Sequence, residues 1–195
     1  MICSAVICAA GGGTRMGKNK ALCRLPSGET FLSSIVSLLH RVDSEMVIVV
    51  VVGAQIDLVR QTHEHLSVQW VENTDWARNH MFDSLSLGLK FITENTGVLH
   101  WPVDCIGVTF ENLKQLVEAP QAPFANLTYN GKSGHPLRIH ADVVTWMKQH
   151  GNAFSSLRDV MKHFDRLRIE ASGQVPVNCN NPEMLADFVA RNNKI

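Results

Sequence analysis

The sequence predicts an α/β protein, a three-layer α/β/α sandwich around a mostly parallel sheet. Two observations predict it. Apolar runs alternate with amphipathic segments from one end of the chain to the other, which is the pattern of strands connected by covering helices. One of those runs, Met46-Val-Ile-Val-Val-Val-Val52, shows no polar alternation at all. Such a run suits a central parallel strand whose two faces are both covered. No repeat, low-complexity stretch or linker interrupts the pattern, so one domain over residues 1–195 is expected.

The elements follow in order. Ile2 to Ala10 reads as a buried strand. Thr30 is a helix N-cap, with Phe31, Ile35, Leu38, Leu39 and Val42 recurring on one face behind it. The strand Met46–Val52 ends at Gly53, a short helix spans Ile56 to Leu66, and Val68 to Val71 is a strand. Asp83 to Phe91 is helical, and Val98 to Val103 is a strand ending at Asp104. Thr109 caps a helix carrying Leu113, Leu116 and Val117. Ala125 to Tyr129 is a strand closed by the turn Asn130-Gly131. Ala141 to His150 and Ser156 to Phe164 are helices, and Leu167 to Ile169 is a strand. Asn181 caps a last helix with Pro182 at its first position.

The 195 residues carry 18 basic and 18 acidic side chains, with no basic or acidic tail. A nucleic-acid groove therefore has no electrostatic footprint, and phosphate chemistry must come from locally placed cations and backbone amides. The longest apolar run is too short to cross a bilayer. The five cysteines are scattered and odd in number, with no paired metal-binding spacing, which points to a reducing compartment. The first residues lack the basic flank of a signal peptide, so a cytoplasmic protein with no membrane and no nucleic-acid partner is expected.

Parallel α/β sheets bind ligands beyond the carboxyl ends of their strands. Three segments in such positions carry chemistry: Gly11 to Lys20, Asp104, and Asn178 to Asn181. The first contains Gly11, Gly12 and Gly13, which let backbone amides approach a polyphosphate, and two cations, Arg15 and Lys20. A dinucleotide fingerprint fails here because Met16 stands where a small residue is needed. A P-loop would run from Gly12 to Gly17-Lys18, but Asn19 replaces the hydroxyl residue that binds Mg²⁺.

A third register fits better. Ala9, Ala10, Gly11, Arg15, Met16, Gly17 and Lys20 match the pattern A-A-G-x-S-x-R-M-G-x-x-K, with Gly13 in place of Ser. The segment resembles the signature of the MobA-like nucleotidyltransferases, and the closest members it resembles are the molybdenum cofactor cytidylyltransferases. The resemblance implies a Rossmann-like sheet of the nucleotide-diphospho-sugar transferase type. It also implies that the loop wraps a triphosphate while Arg15 and Lys20 neutralise its charge. Pro102-Val103-Asp104 is similar to the family's P-V-D-x-P, without the second proline, and implies that Asp104 binds Mg²⁺. Val177 to Leu185 resembles (D/N)-I-(D/N)-T-P-E-D-L, which makes Asn180 the second metal-side ligand and Asn181 the helix cap. An Asn-rich turn before proline can equally do nothing but cap a helix.

Asn73-Thr-Asp-Trp76 through Ser84 to Leu89 resembles the family's base and sugar segment, with Asn79 where glycine is expected and one residue more between Trp76 and Ser84. Gly134-His135-Pro136 matches the family's G-H-P on the acceptor side. His63, His65, His140, His150 and His163 lack such context and are expected at the surface. Cys105 and Cys179, beside the two candidate ligands, read as small buried hydrophobes rather than a soft-metal pair.

The implied reaction transfers a nucleoside monophosphate to a phosphorylated small acceptor such as molybdopterin and releases pyrophosphate. Ala10, where guanylyl-transferring relatives have glycine, implies CTP as the donor. Two alternatives stay open on sequence: a small-molecule kinase using Lys18, and a nucleotide-binding regulatory module that has lost turnover.

Overall fold

The computed structural model describes residues 3–150, 153–171, 173 and 176–192. Its main sheet has seven strands in the order β3-β2-β1-β4-β7-β6-β8. These are β1 (Cys3–Ala9), β2 (Ile48–Val52), β3 (Gln69–Glu72), β4 (Gly97–Pro102), β6 (Phe124–Tyr129), β7 (Lys132–Ile139) and β8 (Arg166–Glu170). Only β7 runs against its neighbours. A separate two-stranded ribbon pairs β5 (Cys105–Ile106) with β9 (Val177–Asn178).

Two helical layers cover the sheet. On one face Phe31, Leu32, Ile35 and Leu39 of α1 (Phe31–Val42) and Leu113 and Leu116 of α4 (Phe110–Glu118) pack on Ile7, Val50 and Leu99, with Val59 of α2 (Ile56–Thr62) and Phe188 of α7 (Pro182–Asn192). On the other face Phe82, Leu85 and Leu89 of α3 (Met81–Leu89), Val143 and Met147 of α5 (Ala141–His150) and Val160 of α6 (Leu157–Met161) pack on Val6, Val49 and Val51. Every residue of β2 is buried, as the unbroken β-branched run requires.

The chain winds from β1 outward to β2 and β3, then crosses back to place β4 on the other side of β1. The carboxyl ends of β1 and β4 therefore lie at the switch point where such sheets open a crevice. This placement positions the site.

Several caps hold the ends. Thr30 Oγ1 accepts from Ser33 N at 3.0 Å, and Ser33 Oγ accepts from Thr30 N at 2.9 Å, a reciprocal capping box. Met184 N donates to Asn181 Oδ1 at 2.9 Å, so Asn181 caps α7. Arg138 reaches from β7 to the open end of α4, donating to the carbonyls of Val117, Ala119 and Pro120. Asn130 and Gly131 both have positive φ, 51° and 74°, in a two-residue hairpin turn between Tyr129 and Lys132.

The structure departs from the sequence reading in three places. The long strand β7 was not expected, because Gly134 and Pro136 argue against a strand. Both sit where the ladder is broken: β6 pairs with β7 at Thr128–Ser133 and Asn126–Leu137, with a register shift between. Pro136 therefore removes no ladder hydrogen bond there. The helices α2 and α6 are shorter than their apolar spacing suggests.

The third departure is His63, expected at the surface and in fact fully buried. Its Nδ1 donates to the Val59 carbonyl at 2.7 Å, leaving Nε2 to accept from the Thr30 hydroxyl at 2.7 Å. The ring thus ties the end of α2 to the cap of α1. Its pKa is lowered, first by burial. His65, His150 and His163 are exposed and His140 is half-buried.

His100 on β4 is also buried, and burial pushes its pKa well below the ordinary 6.5, with His135 adding to the effect. Both His63 and His100 are held neutral in the fold. On acidification the unfolded chain takes up their protons first, so stability is intact above about pH 6.5 and falls below it, by up to about 1.4 kcal/mol per pH unit from His100. Urea unfolding midpoints should drop between pH 7.5 and pH 5; identical midpoints would show that neither buried ring resists protonation.

Candidate active site

The segment after β1 forms the first wall. Gly13 has φ 64° and Gly17 φ 69°, bracketing a 3₁₀ turn over Thr14–Met16. A side chain at Gly13 would place its Cβ 2.0 Å from the Lys18 carbonyl oxygen. This loop conformation therefore requires glycine at position 13. Asn19, the residue that defeats the P-loop pattern, is buried and structural. Its Nδ2 donates to the Ala54 carbonyl at 2.8 Å, and its Oδ1 accepts from Ala21 N at 3.0 Å. It closes the loop onto the end of β2 and caps the 3₁₀ turn that starts at Lys20. Lys18 is exposed, whereas Lys20 turns inward.

A cleft of about 280 Å³ opens at the switch point. Ala9, Ala10, Gly11, Gly13, Arg15, Lys20, Ser84 and Asp104 all line it. At its base Lys20 Nζ donates to Asp104 Oδ2 at 2.6 Å and to Asn180 Oδ1 at 2.7 Å. Lys20 and Asp104 are each nearly buried, at 18% and 19% side-chain exposure. Asn180 is brought there by the β5–β9 ribbon. Cys105 pairs with Asn178, and Cys179 N donates to the Asp104 carbonyl at 2.7 Å. A single ammonium thus holds two oxygen donors that lie 84 and 160 residues away in sequence.

That donor set fits a hard divalent cation. One carboxylate and one amide oxygen converge on a point of positive charge, and Mg²⁺ is held by one or two carboxylates with substrate phosphates and water completing its shell. Among the described residues no group of three or more His, Cys, Asp or Glu gathers for a metal. The cysteines do not supply a soft site. Burial, then the charge of Asp104, pushes the Cys105 thiol up to about 12, and it donates to the His135 carbonyl at 3.3 Å. Cys179 is likewise pushed up to about 11, chiefly by burial.

The opposite wall comes from residues 73–84. Asn73 is buried, donating from Nδ2 to Ser84 Oγ at 3.0 Å and accepting from Asn79 Nδ2 at 3.0 Å. The asparagine that replaces the family's glycine therefore braces the segment that orients Ser84. Trp76 is a rim residue at 38% exposure, its ring against Gly12 and its Cβ region against Gly53. Gly12 faces this ring and does not line the cleft. Sequence reasoning missed Cys8, Thr14, His80 and Met81, which also line it. No motif letter marks them; only the strand end and the helix start place them there.

A second depression of about 1110 Å³ adjoins the first, and His80 and Met81 line both. Gly134 and His135 line this one, while Pro136 is buried behind them. The Cys105–His135 hydrogen bond sets this segment beside Asp104. His135 and His100 meet edge to face with centroids 5.2 Å apart. The His135 pKa is lowered, mainly by burial, against an opposing pull from Asp104.

A mostly parallel sheet with a glycine-rich loop and an acidic strand end at its switch point is the frame of a Rossmann-like nucleotide-binding fold. The profile of the MobA-like NTP transferase domain matches residues 5–169. The chain belongs to this family, and it is a nucleotidyltransferase. Among solved structures it is similar to Rv0371c from Mycobacterium tuberculosis, at 17% identity and TM-score 0.79 over 96% of this chain and 97% of that one. It is similar to a nucleotidyl transferase from Methanothermobacter thermautotroptrophicus, at 21% identity and TM-score 0.77 over 98% and 99%. It is also similar to the CTP:phosphocholine cytidylyltransferase of Streptococcus pneumoniae, at 15% identity and TM-score 0.72 over 98% and 99%. At these identities the likeness is one of fold. No curated protein matches the sequence.

The loop geometry yields a paired test. Gly13→Ala meets both a positive φ and the Lys18 carbonyl, so it should destabilise by about 2 kcal/mol or more. Gly11→Ala, with nothing within 4 Å, should leave stability unchanged. Equal denaturation midpoints for the two variants would contradict this account of the loop.

Proposed function

We propose that the protein transfers CMP from CTP to the phosphate of a small acceptor and releases pyrophosphate, with molybdopterin the first acceptor to test. The observation that carries this reading is the Lys20 ammonium held between Asp104 and Asn180 at the foot of a glycine-rich loop. That arrangement offers cations and backbone amides to a triphosphate and two hard oxygens to a divalent metal. A crystal structure of Rv0371c contains manganese, which supports a divalent ion for this chain. Donor choice draws support from cytidylyltransferases of the same fold, one of them complexed with CTP.

The chemistry needs no general base. A phosphate monoester is already anionic near neutral pH, so its oxygen attacks the α-phosphorus directly, the α–β bridging P–O bond breaks, and pyrophosphate departs. Catalysis is positioning and charge stabilisation. The amides around Gly11 and Gly13 bind the triphosphate, and Arg15 and Lys20 hold its charge as the leaving group develops. Asp104 and Asn180 would hold Mg²⁺, whose chemistry there is neutralisation of triphosphate charge. Ser84, oriented by Asn73, lies on the nucleoside side, and Gly134-His135 on the acceptor side. Lys20 occupies the oxygens of Asp104 and Asn180 in the free protein, and its ammonium moving toward bound phosphates would leave those two oxygens to hold the metal.

This reading competes with a kinase built on Lys18. The exposed Lys18 and the structural role of Asn19 favour Lys20. Lys20→Ala and Asp104→Ala should each lower pyrophosphate release by roughly 100-fold or more in a folded protein, while Lys18→Ala stays near normal. A crippled Lys18→Ala beside an active Lys20→Ala would reverse the assignment. Binding of nucleotide without any release would instead identify a regulatory module.

Ala10 is buried and lines the cleft at the end of β1. Its methyl narrows the space open to a purine. CTP should be preferred over GTP by roughly 10- to 200-fold in kcat/KM, the range of one methyl-sized clash, and Ala10→Gly should shrink that ratio. An unchanged ratio in the variant would move base selection to the segment 78–82.

A further inference from the structure

The larger depression carries an electrostatic feature that nucleotide transfer does not use. The chain as a whole balances 18 basic against 18 acidic residues. Yet the depression is lined by four cations, Arg158, Lys162, Arg166 and Arg168, and a single carboxylate, Asp165. Lys162 is neutralised by Asp159 at 2.8 Å. Arg158, Arg166 and Arg168 have no ion pair or hydrogen bond from their side chains among the described residues.

Sheet register explains how they converge. His100 pairs with Leu137, Leu137 with Asn126, and Asn126 with Arg168. In the next row Phe124 pairs with Arg166. Paired residues project from the same face, so the two arginines stand two residues apart on the α3–α6 face, beside Asn126. Asn126 is 1% exposed, its Nδ2 donates to the Leu127 carbonyl at 2.7 Å, and its buried Oδ1 has no partner. A buried acceptor left open beside unpaired guanidiniums is unusual unless a ligand completes the set.

The separation matters. From β4, which ends beside Asp104, to β8 is three interstrand steps, roughly 14 Å. Arg168 is thus anchored three strands away from the strand that carries Asp104. The space between is walled by Phe82 and Leu85 on one side and Leu157 and Met161 on the other.

We propose that this depression recognises the far end of the acceptor, so that the acceptor carries a second oxyanion, a carboxylate or a phosphate, opposite the attacked phosphate and separated from it by an apolar stem. Arg166 and Arg168 hold that oxyanion, and Asn126 Oδ1 accepts from a hydroxyl or amine beside it. The inference rests on the acceptor phosphate entering at Asp104 and His135, as in the proposed transfer reaction, and it favours a doubly anionic acceptor over molybdopterin, which carries a single phosphate.

The test uses three probes of equal stem length: octanediol bisphosphate, ω-phosphooxyoctanoate and octyl phosphate. Each is titrated calorimetrically into the full chain and into the Arg166→Ala/Arg168→Ala variant, with CTP titrated into both. The two replaced side chains are exposed, so equal thermal midpoints should confirm an intact fold. At least one of the doubly anionic probes should bind the unmodified protein about tenfold or more tighter than octyl phosphate, as charge-assisted hydrogen bonds require. The double variant should lose that preference and keep its CTP affinity. The tighter of the two identifies the oxyanion. Equal binding of all three probes, or a preference that survives in the variant, overturns the subsite while CTP binding leaves the transfer reaction standing. A preference that the variant loses, in a protein that does not bind CTP, keeps the subsite and overturns the transfer reaction instead.

Discussion

The Lys20 ammonium, between Asp104 Oδ2 and Asn180 Oδ1, is the contact on which the site depends. It ties the loop after β1 to the end of β4 and the turn before α7, two segments that the β5–β9 ribbon already holds together. A lone carboxylate nearly buried at a strand end would be unfavourable without a counterion. The lysine supplies that charge and holds the amide of Asn180 in the same geometry. The site is therefore preformed around an internal cation.

The contact exists because of backbone constraints set some distance away. The left-handed Gly13 and Gly17 turn the loop tightly enough to aim Lys20 inward and leave Lys18 in solvent. Asn19 then ties the loop to the end of β2 through the Ala54 carbonyl. On the other side, the short β5–β9 ribbon draws residues 177–180 against Asp104. The switch point between β1 and β4 supplies the opening into which these parts project.

The two depressions share a wall at His80 and Met81, the start of α3. Asp83 fixes this helix start, with His80 N donating to Asp83 Oδ2 at 2.6 Å. Its position governs both the wall of the first depression, through Ser84, and the passage toward Gly134-His135. A change in the length of segment 76–84 would be felt in both depressions, and this is the segment where the chain departs from its family's spacing.

The layer architecture, the order of most elements and the loop signature are legible in the sequence, because these are local. Hydrophobic periodicity, the caps at Thr30, Thr109 and Asn181, and the glycine positions all act within a few residues. Features that depend on pairing between distant strands are set by the folded arrangement instead. The strand β7 is formed by partners on either side of a proline-containing bulge that looks like a loop in isolation. His63 is buried because α2 packs beside the cap of α1, and its own neighbours in sequence carry no sign of that. Asn180 meets Lys20 only through a ribbon of two short strands, too short to show any alternation. Arg166 and Arg168 lie in a segment that Leu167 to Ile169 mark as a strand, but which face they occupy and what lies beside them is set by register across four strands. One residue of slip would turn every such side chain to the other face, and no local pattern encodes that choice.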